Sequence, residues 1–289
     1  MLKNEELEVR YEPPSHKCLT SRFDRTGFIT QVTDVRRGHT YCSAEHQGQG
    51  NARRGGVGLC NEFSIHRAVG YETAQVGQPF PKLGVGLVTR AHEREYMFHE
   101  PYVVQPFPIS WDASEDRIEV SVEPLPCRGY EARLHKRIVL RGRQLCIDYT
   151  LQNAGTMAII TEEYAHNFLR MAGREIGPDY EVVIPDLVGA GSVGGPFVSS
   201  GRTLNWSQPM REGEECYLSR PIEASGATSA AWELHVRQLG IGLMEEVSGA
   251  AVSHFALWGK AHVISPELFI SIQLEPGQVM NWQRVYSFY

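Results

Sequence analysis

Long apolar runs are missing from this chain. Nowhere do about 18 hydrophobic residues follow one another, so no membrane-spanning helix is expected. Residues 1–8 carry Lys3, Glu5, Glu6 and Glu8 and no apolar segment, so a secretory signal is not expected and a cytoplasmic location is. Basic charge is not in excess: the formal net charge of -6 argues against DNA or RNA, whose binding needs a clustered basic surface. Paired cysteines are absent too. Cys18, Cys42, Cys60, Cys127, Cys146 and Cys216 are scattered with no C-x-x-C, and read as reduced, mostly buried thiols rather than a disulfide framework or zinc site. No H-E-x-x-H and no G-x-S-x-G occur, so neither a helical zinc site nor a serine nucleophile elbow is indicated. Helical periodicity is also lacking over any stretch longer than about three turns.

What is present is period-2 alternation. It runs through residues 117–123, 133–140 and 144–153, with Gly142 and the Asn153–Gly155 turn as punctuation. Further strand-like segments are residues 57–63, 80–90, 95–98, 102–104, 180–185, 230–236, 241–246, 252–258, 261–265, 268–274 and 279–286. Residues 1–50 read as polar and irregular, with short strands around a turn in 22–32. The glycines Gly48, Gly50, Gly55, Gly56 and Gly58 read as a flexible surface loop. With 42% hydrophobic residues in 289 and Gly or Pro about every ten, the pattern predicts an all-β protein: a large antiparallel β-sandwich, residues 1–289 forming a single domain. Gly189-Ala190-Gly191-Ser192-Val193-Gly194 fits G-x-G-x-x-G. Gly195-Pro196 follows, so no helix is expected to open there and the segment reads as a loop, not a dinucleotide site.

Chemistry is densest in Thr161-Glu162-Glu163-Tyr164-Ala165-His166-Asn167-Phe168-Leu169-Arg170. His166 is open between a core histidine and a proton-transfer group. Glu267 sits in Ile264-Ser265-Pro266-Glu267-Leu268-Phe269-Ile270, a run otherwise fit for burial. It is open between a buried acid or base and a strand-edge glutamate facing solvent, because Pro266 could mark an edge or bulge.

Residues 138–155, followed by Glu163-Tyr164-Ala165-His166-Asn167-Phe168, resemble the core of the aldose 1-epimerase (galactose mutarotase-like) superfamily. Gly84-Val85-Gly86-Leu87-Val88-Thr89-Arg90 is similar to that family's glycine-rich strand. Glu267, Leu274-Glu275-Pro276-Gly277 and Trp282 to Phe288 are similar to its ending. The resemblance covers residues 80–289. It implies a β-supersandwich with an open carbohydrate cleft, His166 as general acid, Glu267 as general base and Arg90 as a hydroxyl ligand. Lys82, Asn167, Tyr164 and Trp258 would complete the sugar site, without cofactor or metal. The reaction implied is interconversion of sugar anomers through the open-chain aldehyde, with Glu267 ionised and His166 protonated at rest. The partner would be a small sugar or sugar derivative, with a homodimer left open. The chain departs from the family in lacking a histidine in residues 102–107, His92 and His99 falling earlier, which implies a divergent branch acting on another sugar. Two other readings stand beside it: a glycoside hydrolase or lyase pairing Glu267 with Glu162 or Glu163, and a non-catalytic carbohydrate-binding protein stacking sugar on Trp206, Trp258 or Tyr164.

Overall fold

Alternating side chains become alternating faces in the computed structural model, which describes residues 1–14, 21–47, 55–188, 196–223 and 228–289. Cys18, the glycines Gly48 and Gly50, and Gly189 to Gly194 lie outside the described residues. Described strands form antiparallel sheets of eight, ten and three strands. In the eight-stranded sheet, Leu59–Phe63, Ile159–Asn167, Val263–Leu274 and Val252–Lys260 are consecutive neighbours. The ten-stranded sheet contains the meander Arg117–Val122, Ala132–Arg141 and Gln144–Asn153, followed across the sheet by Val279–Phe288. The meander turns where expected. Asn153 Nδ2 donates to Leu274 O and Met157 O (both 2.9 Å), and its Oδ1 accepts the Gly155 N–H at 3.0 Å.

The two large sheets face each other over one apolar cluster. Ile118, Leu134, Ile138, Ile147 and Leu243 come from one sheet, and Val9, Phe63, Ile159, Ile270 and Ile272 from the other. Burying such side chains stabilises the fold by about 1.5–3 kcal/mol each. Through this core runs a fully buried ionic network. Arg284 donates to Glu163 Oε2 and Glu245 Oε1 at 2.6 Å each, and Lys136 Nζ donates to Asp24 and Asn61 at 3.2 and 3.0 Å. Asn61 Nδ2 joins the two halves through Glu163 (2.9 Å).

Several expectations need correction. Strands Leu2–Lys3 and Leu7–Glu12 occupy the N-terminal stretch read as irregular. Phe197–Ser200, Thr203–Trp206 and Glu215–Pro221 are also strands. These strands are short or lack clean alternation, so the pattern understates them. Residues 95–98 form no strand. Residues 263–265 and 268–274 belong to one strand, Val263–Leu274, inside the sheet rather than at its edge, and Ala261 and His262 form the turn before it. Five cysteines (42, 60, 127, 146 and 216) are free and buried. Among the described residues, helix is limited to the 3-10 turns Met171–Gly173 and Arg237–Leu239, and no helix is long and apolar enough to cross a membrane.

Candidate active site

Pro266 explains where the site lies. The ladder between Ile159–Asn167 and Val263–Leu274 runs from Ile159↔Leu274 to Tyr164↔Phe269, then stops, and resumes as the single bridge Leu169↔Ile264. Proline has no N–H to continue it. Side chains fill the gap. Asn167 N–H donates to Ser265 Oγ (2.9 Å), and Asn167 Nδ2 donates to the Pro266 carbonyl (2.8 Å). Continuing the register through the gap puts His166 directly opposite Glu267, and their side chains meet with Nδ1 and Oε1 3.3 Å apart. Ser265 Oγ donates to Glu267 Oε1 at 2.8 Å, whereas His166 Nδ1 is buried without a hydrogen-bond partner.

The surroundings are aromatic. Phe168 stacks flat on the imidazole (centroids 3.9 Å, 9° between planes), while Trp258 and Phe23 meet it edge-on at 5.3 and 6.3 Å. Gly56 makes that stack possible, because a Cβ there would lie 1.9 Å from Phe168 Cε2. Gly55, Gly56 and Gly58 thus belong to a half-buried to buried segment, not the surface loop expected. Behind the cage, Arg22 lies over the rings of Phe23 and Phe98 at 4.4 and 4.5 Å and donates Nε to Glu62 Oε2 (2.9 Å). Tyr164 donates its hydroxyl to the same Glu62 oxygen at 2.7 Å, and Lys82 Nζ donates to Glu62 Oε1 at 3.2 Å.

Burial sets the protonation of the pair. Loss of water raises the Glu267 carboxyl to about 8, against the pull of Ser265 and Arg22. The same burial, reinforced by the Arg22 charge, drives His166 well below the ordinary histidine value. At neutral pH the pair is a carboxylic acid beside a neutral imidazole, the reverse of the ionised pair that the resemblance implies. The expected mutual attraction is outweighed by desolvation.

The other residues singled out in the sequence separate into three groups. Tyr164 and Trp258 flank His166, with ring centroids 6.0 and 5.3 Å from it. Lys82 is fully buried and holds Glu62, Ser64 O and the Tyr96 hydroxyl, so it supports the wall. Asn167 and Arg90 do not join. Asn167 points into the inter-sheet core, where both amide hydrogens and its oxygen are taken by Glu245, Pro266 and Tyr286. Arg90 donates to four main-chain carbonyls, those of His92, Tyr71, Ala74 and Glu93, and bonds no side chain around the His166–Glu267 pair. Of the alternative partners for Glu267, Glu163 is bound to Arg284 on the core side, and Glu162 accepts the N–H groups of His66 and Arg67. Trp206 is buried against Phe197 in the ten-stranded sheet, away from this face. Sequence reasoning missed Arg22 and Glu62. The signal for Glu62 was available: a carboxylate inside an apolar strand, the same feature that marked Glu267. No local signal distinguishes Arg22. No group of three His, Cys, Asp or Glu side chains able to hold a metal gathers among the described residues.

No family model matches the chain, and no curated protein sequence matches it. Solved structures do. A galactose mutarotase-like protein from Lactobacillus casei is 13% identical with TM-score 0.61, over 100% of this chain and 99% of that one. A galactose mutarotase related enzyme from Lactobacillus acidophilus is 9% identical with TM-score 0.58, over 100% and 96%. A proposed aldose 1-epimerase from Klebsiella pneumoniae is 9% identical with TM-score 0.62, over 99% of this chain and 77% of that one. At such identities the likeness establishes the fold: this chain has the galactose mutarotase-like β-sandwich.

Proposed function

We propose that this protein interconverts the anomers of a reducing sugar by acid–base ring opening at His166 and Glu267. The observation that carries the reading is the buried imidazole and carboxyl held 3.3 Å apart in the gap that Pro266 opens, neither neutralised by a counter-ion of its own. Mutarotation needs one proton removed from the anomeric hydroxyl and one delivered to the ring oxygen. The C1–ring-oxygen bond breaks as the aldehyde carbonyl forms. Rotation about C1–C2 and the reverse transfers close the other anomer, with no net oxidation and no co-reactant. With the resting proton on Glu267, the carboxyl protonates the ring oxygen and neutral His166 accepts the hydroxyl proton, and the two exchange roles on closure. Positioned acid and base are each worth about 10²–10⁴-fold. Trp258, half-buried beside His166, supplies an aromatic wall suited to the C–H face of a sugar ring.

Hydrolysis is less well supported, since it needs two available carboxylates about 5–10 Å apart. Glu163 faces the core, Glu162 holds the His66–Arg67 backbone, and both Glu62 oxygens are engaged by Arg22, Tyr164 and Lys82. Exchange NMR between α and β anomers over a panel of aldoses tests the proposal. Wild-type protein should accelerate exchange for at least one sugar, and Glu267→Gln should not. Sugar binding with no acceleration by the wild type would leave a binding protein instead.

A further inference from the structure

The face that carries the pair continues across the sheet to its edge. On the strand next to Glu267, Ala256 stands opposite Glu267 and Trp258 opposite Ser265. One strand further, Ser219 stands opposite Ala256 and Tyr217 opposite Trp258. That strand, Glu215–Pro221, is the last of the eight-stranded sheet. Residues directly opposite each other share a face, so Tyr217 and Trp258 project on the side of the pair. The alternate residues Leu218, Phe255 and Leu257 point the other way, into the core between the sheets.

Burial differs on the two sides of the pair. Toward Leu59–Phe63, the residues Cys60, Glu62, Tyr164 and Phe168 are fully buried. Toward the edge strand, Trp258 and Ser219 are half-buried and Tyr217 is 63% exposed. Trp258 joins pair and edge: its ring meets His166 at 5.3 Å, and it is the ladder partner of Tyr217. The indole is held in place, its N–H donated to Glu215 Oε1 at 2.5 Å. Lys260, whose ammonium lies 5.2 Å from the indole centroid, stands one row further from Glu267. Tyr217 has no such anchor. Among the described residues neither its ring nor its hydroxyl has a partner. The Tyr217 and Glu267 Cα atoms stand about 12 Å apart, two strand spacings across and two residues along, a gap that one hexose bridges with the two side chains leaning over it.

We propose that Tyr217 is a substrate-binding residue, forming with Trp258 an aromatic ledge that holds the end of the sugar remote from its anomeric carbon. The inference rests on the anomer-exchange reading of the His166–Glu267 pair. That chemistry puts the anomeric carbon and the ring oxygen at the pair. The rest of the ring then extends toward the edge strand, because the neighbours on the other side are closed by burial. There it meets Trp258 first and Tyr217 beyond it, and both rings suit C–H groups of a sugar. Tyr217 moves no proton in the exchange, so its contribution lies in binding rather than in the chemical step.

Exchange NMR over a panel of aldoses, with kcat and KM resolved, tests this on Tyr217→Ala, Tyr217→Phe and Trp111→Ala. For the sugar that the wild type exchanges fastest, Tyr217→Ala should raise KM about two- to tenfold, equal to about 0.4–1.4 kcal/mol. It should leave kcat within about twofold. Tyr217→Phe keeps the ring and should return KM to the wild-type value. Trp111, exposed on the edge strand Ile109–Ala113 of the ten-stranded sheet, is the control, and Trp111→Ala should match wild type. An unchanged KM in Tyr217→Ala overturns the assignment. An equal rise in Tyr217→Phe overturns the ledge, since the hydroxyl rather than the ring would then make the contact. If the wild type exchanges no sugar, the anomerase reading falls and saturation-transfer binding of the same panel decides. Affinity weakened by Tyr217→Ala and restored by Tyr217→Phe keeps the ledge, whereas affinity independent of residue 217, or no binding, removes it.

Discussion

The strand Ile159–Asn167 presents two buried faces that handle ionisable groups in opposite ways. Toward the core, Glu163 accepts Arg284 Nε and Nη2 and Asn61 Nδ2, and Asn167 has all three amide positions bonded. On the opposite face, His166 Nδ1 has no partner and Glu267 has only the Ser265 hydroxyl. Burial pushes both carboxyls up from their ordinary value. Against Glu163 the Arg284 guanidinium pulls back, and against Glu267 the opposing pull comes from Ser265 and Arg22. Equal burial thus leaves one face with its polar atoms paired and the other with an unpartnered imidazole beside a carboxyl, the arrangement on which the proposed proton transfer rests.

The largest effect should come from the open face. Glu267→Gln or His166→Ala should lower kcat/KM for exchange by about 10²–10⁴-fold. Neither should unfold the protein, and a parallel loss of secondary structure by circular dichroism would return either residue to the core. The wild-type rate should hold through neutral pH and decline as pH rises through about 8, where the acid is lost. A decline beginning instead below pH 6 would give Glu267 an ordinary carboxylate and undo the assignment of roles.

Stability follows the same group with a definite sign. The folded Glu267 carboxyl is raised from 4.5 to about 8, so folding favours its protonated form. Its contribution is complete below about pH 4.5 and is lost as pH rises toward 8, by up to a few kcal/mol. Glu267→Gln lacks this dependence. In urea unfolding the variant should gain on wild type from pH 5 to 8, and a constant gap across that range would contradict the burial argument.

The paired face makes its own prediction. Arg284→Met leaves Glu163 and Glu245 buried without their cation and should cost about 3–5 kcal/mol in denaturant unfolding. Anomer exchange per folded molecule should stay within severalfold of wild type, because Arg284 bonds neither member of the pair. A loss smaller than about 1 kcal/mol would mean that the network contributes little beyond what water supplies to those groups in the unfolded chain.

How much of this was legible depends on the range of the interaction. Alternation along 117–153 displays the meander because one face of each strand is buried, and that is a local signal. His166 and Glu267 were legible as two isolated oddities, a histidine and a carboxylate in runs fit for burial. Their meeting depends on a register that spans 101 intervening steps of chain and on a proline that removes one ladder bond. Arg22 carries no local mark. Its importance arises from Glu62, Tyr164 and Phe98 converging on it from separate segments. Arg90 shows the converse failure: its strand context matched a family pattern, but four carbonyls from its own neighbourhood claim the guanidinium. The charge state of the pair was misread for a similar reason, since desolvation is set by Phe23, Phe168 and Trp258, none adjacent to Glu267 in sequence.

The smallest predicted effect probes how closely the open face is packed. A methyl at Gly56 would stand 1.9 Å from Phe168 Cε2, too near for any rotamer adjustment of an alanine to relieve. The Phe168 ring must move, and with it the plane on which His166 lies. Gly56→Ala should therefore cost about 1–3 kcal/mol as an overpacked site, and, on the proposed function, should lower kcat more than it raises KM, because the imidazole is reoriented while Trp258 stays. Phe168→Leu alone gives up the stack but makes room. In the double variant the overpacking has no ring to press against, so the stability losses should add to less than the sum of the single losses, with a coupling of about 0.5–3 kcal/mol. Strictly additive losses would show that Gly56 is required for its backbone rather than for the space it leaves, and that the stacking of Phe168 on His166 does not depend on it.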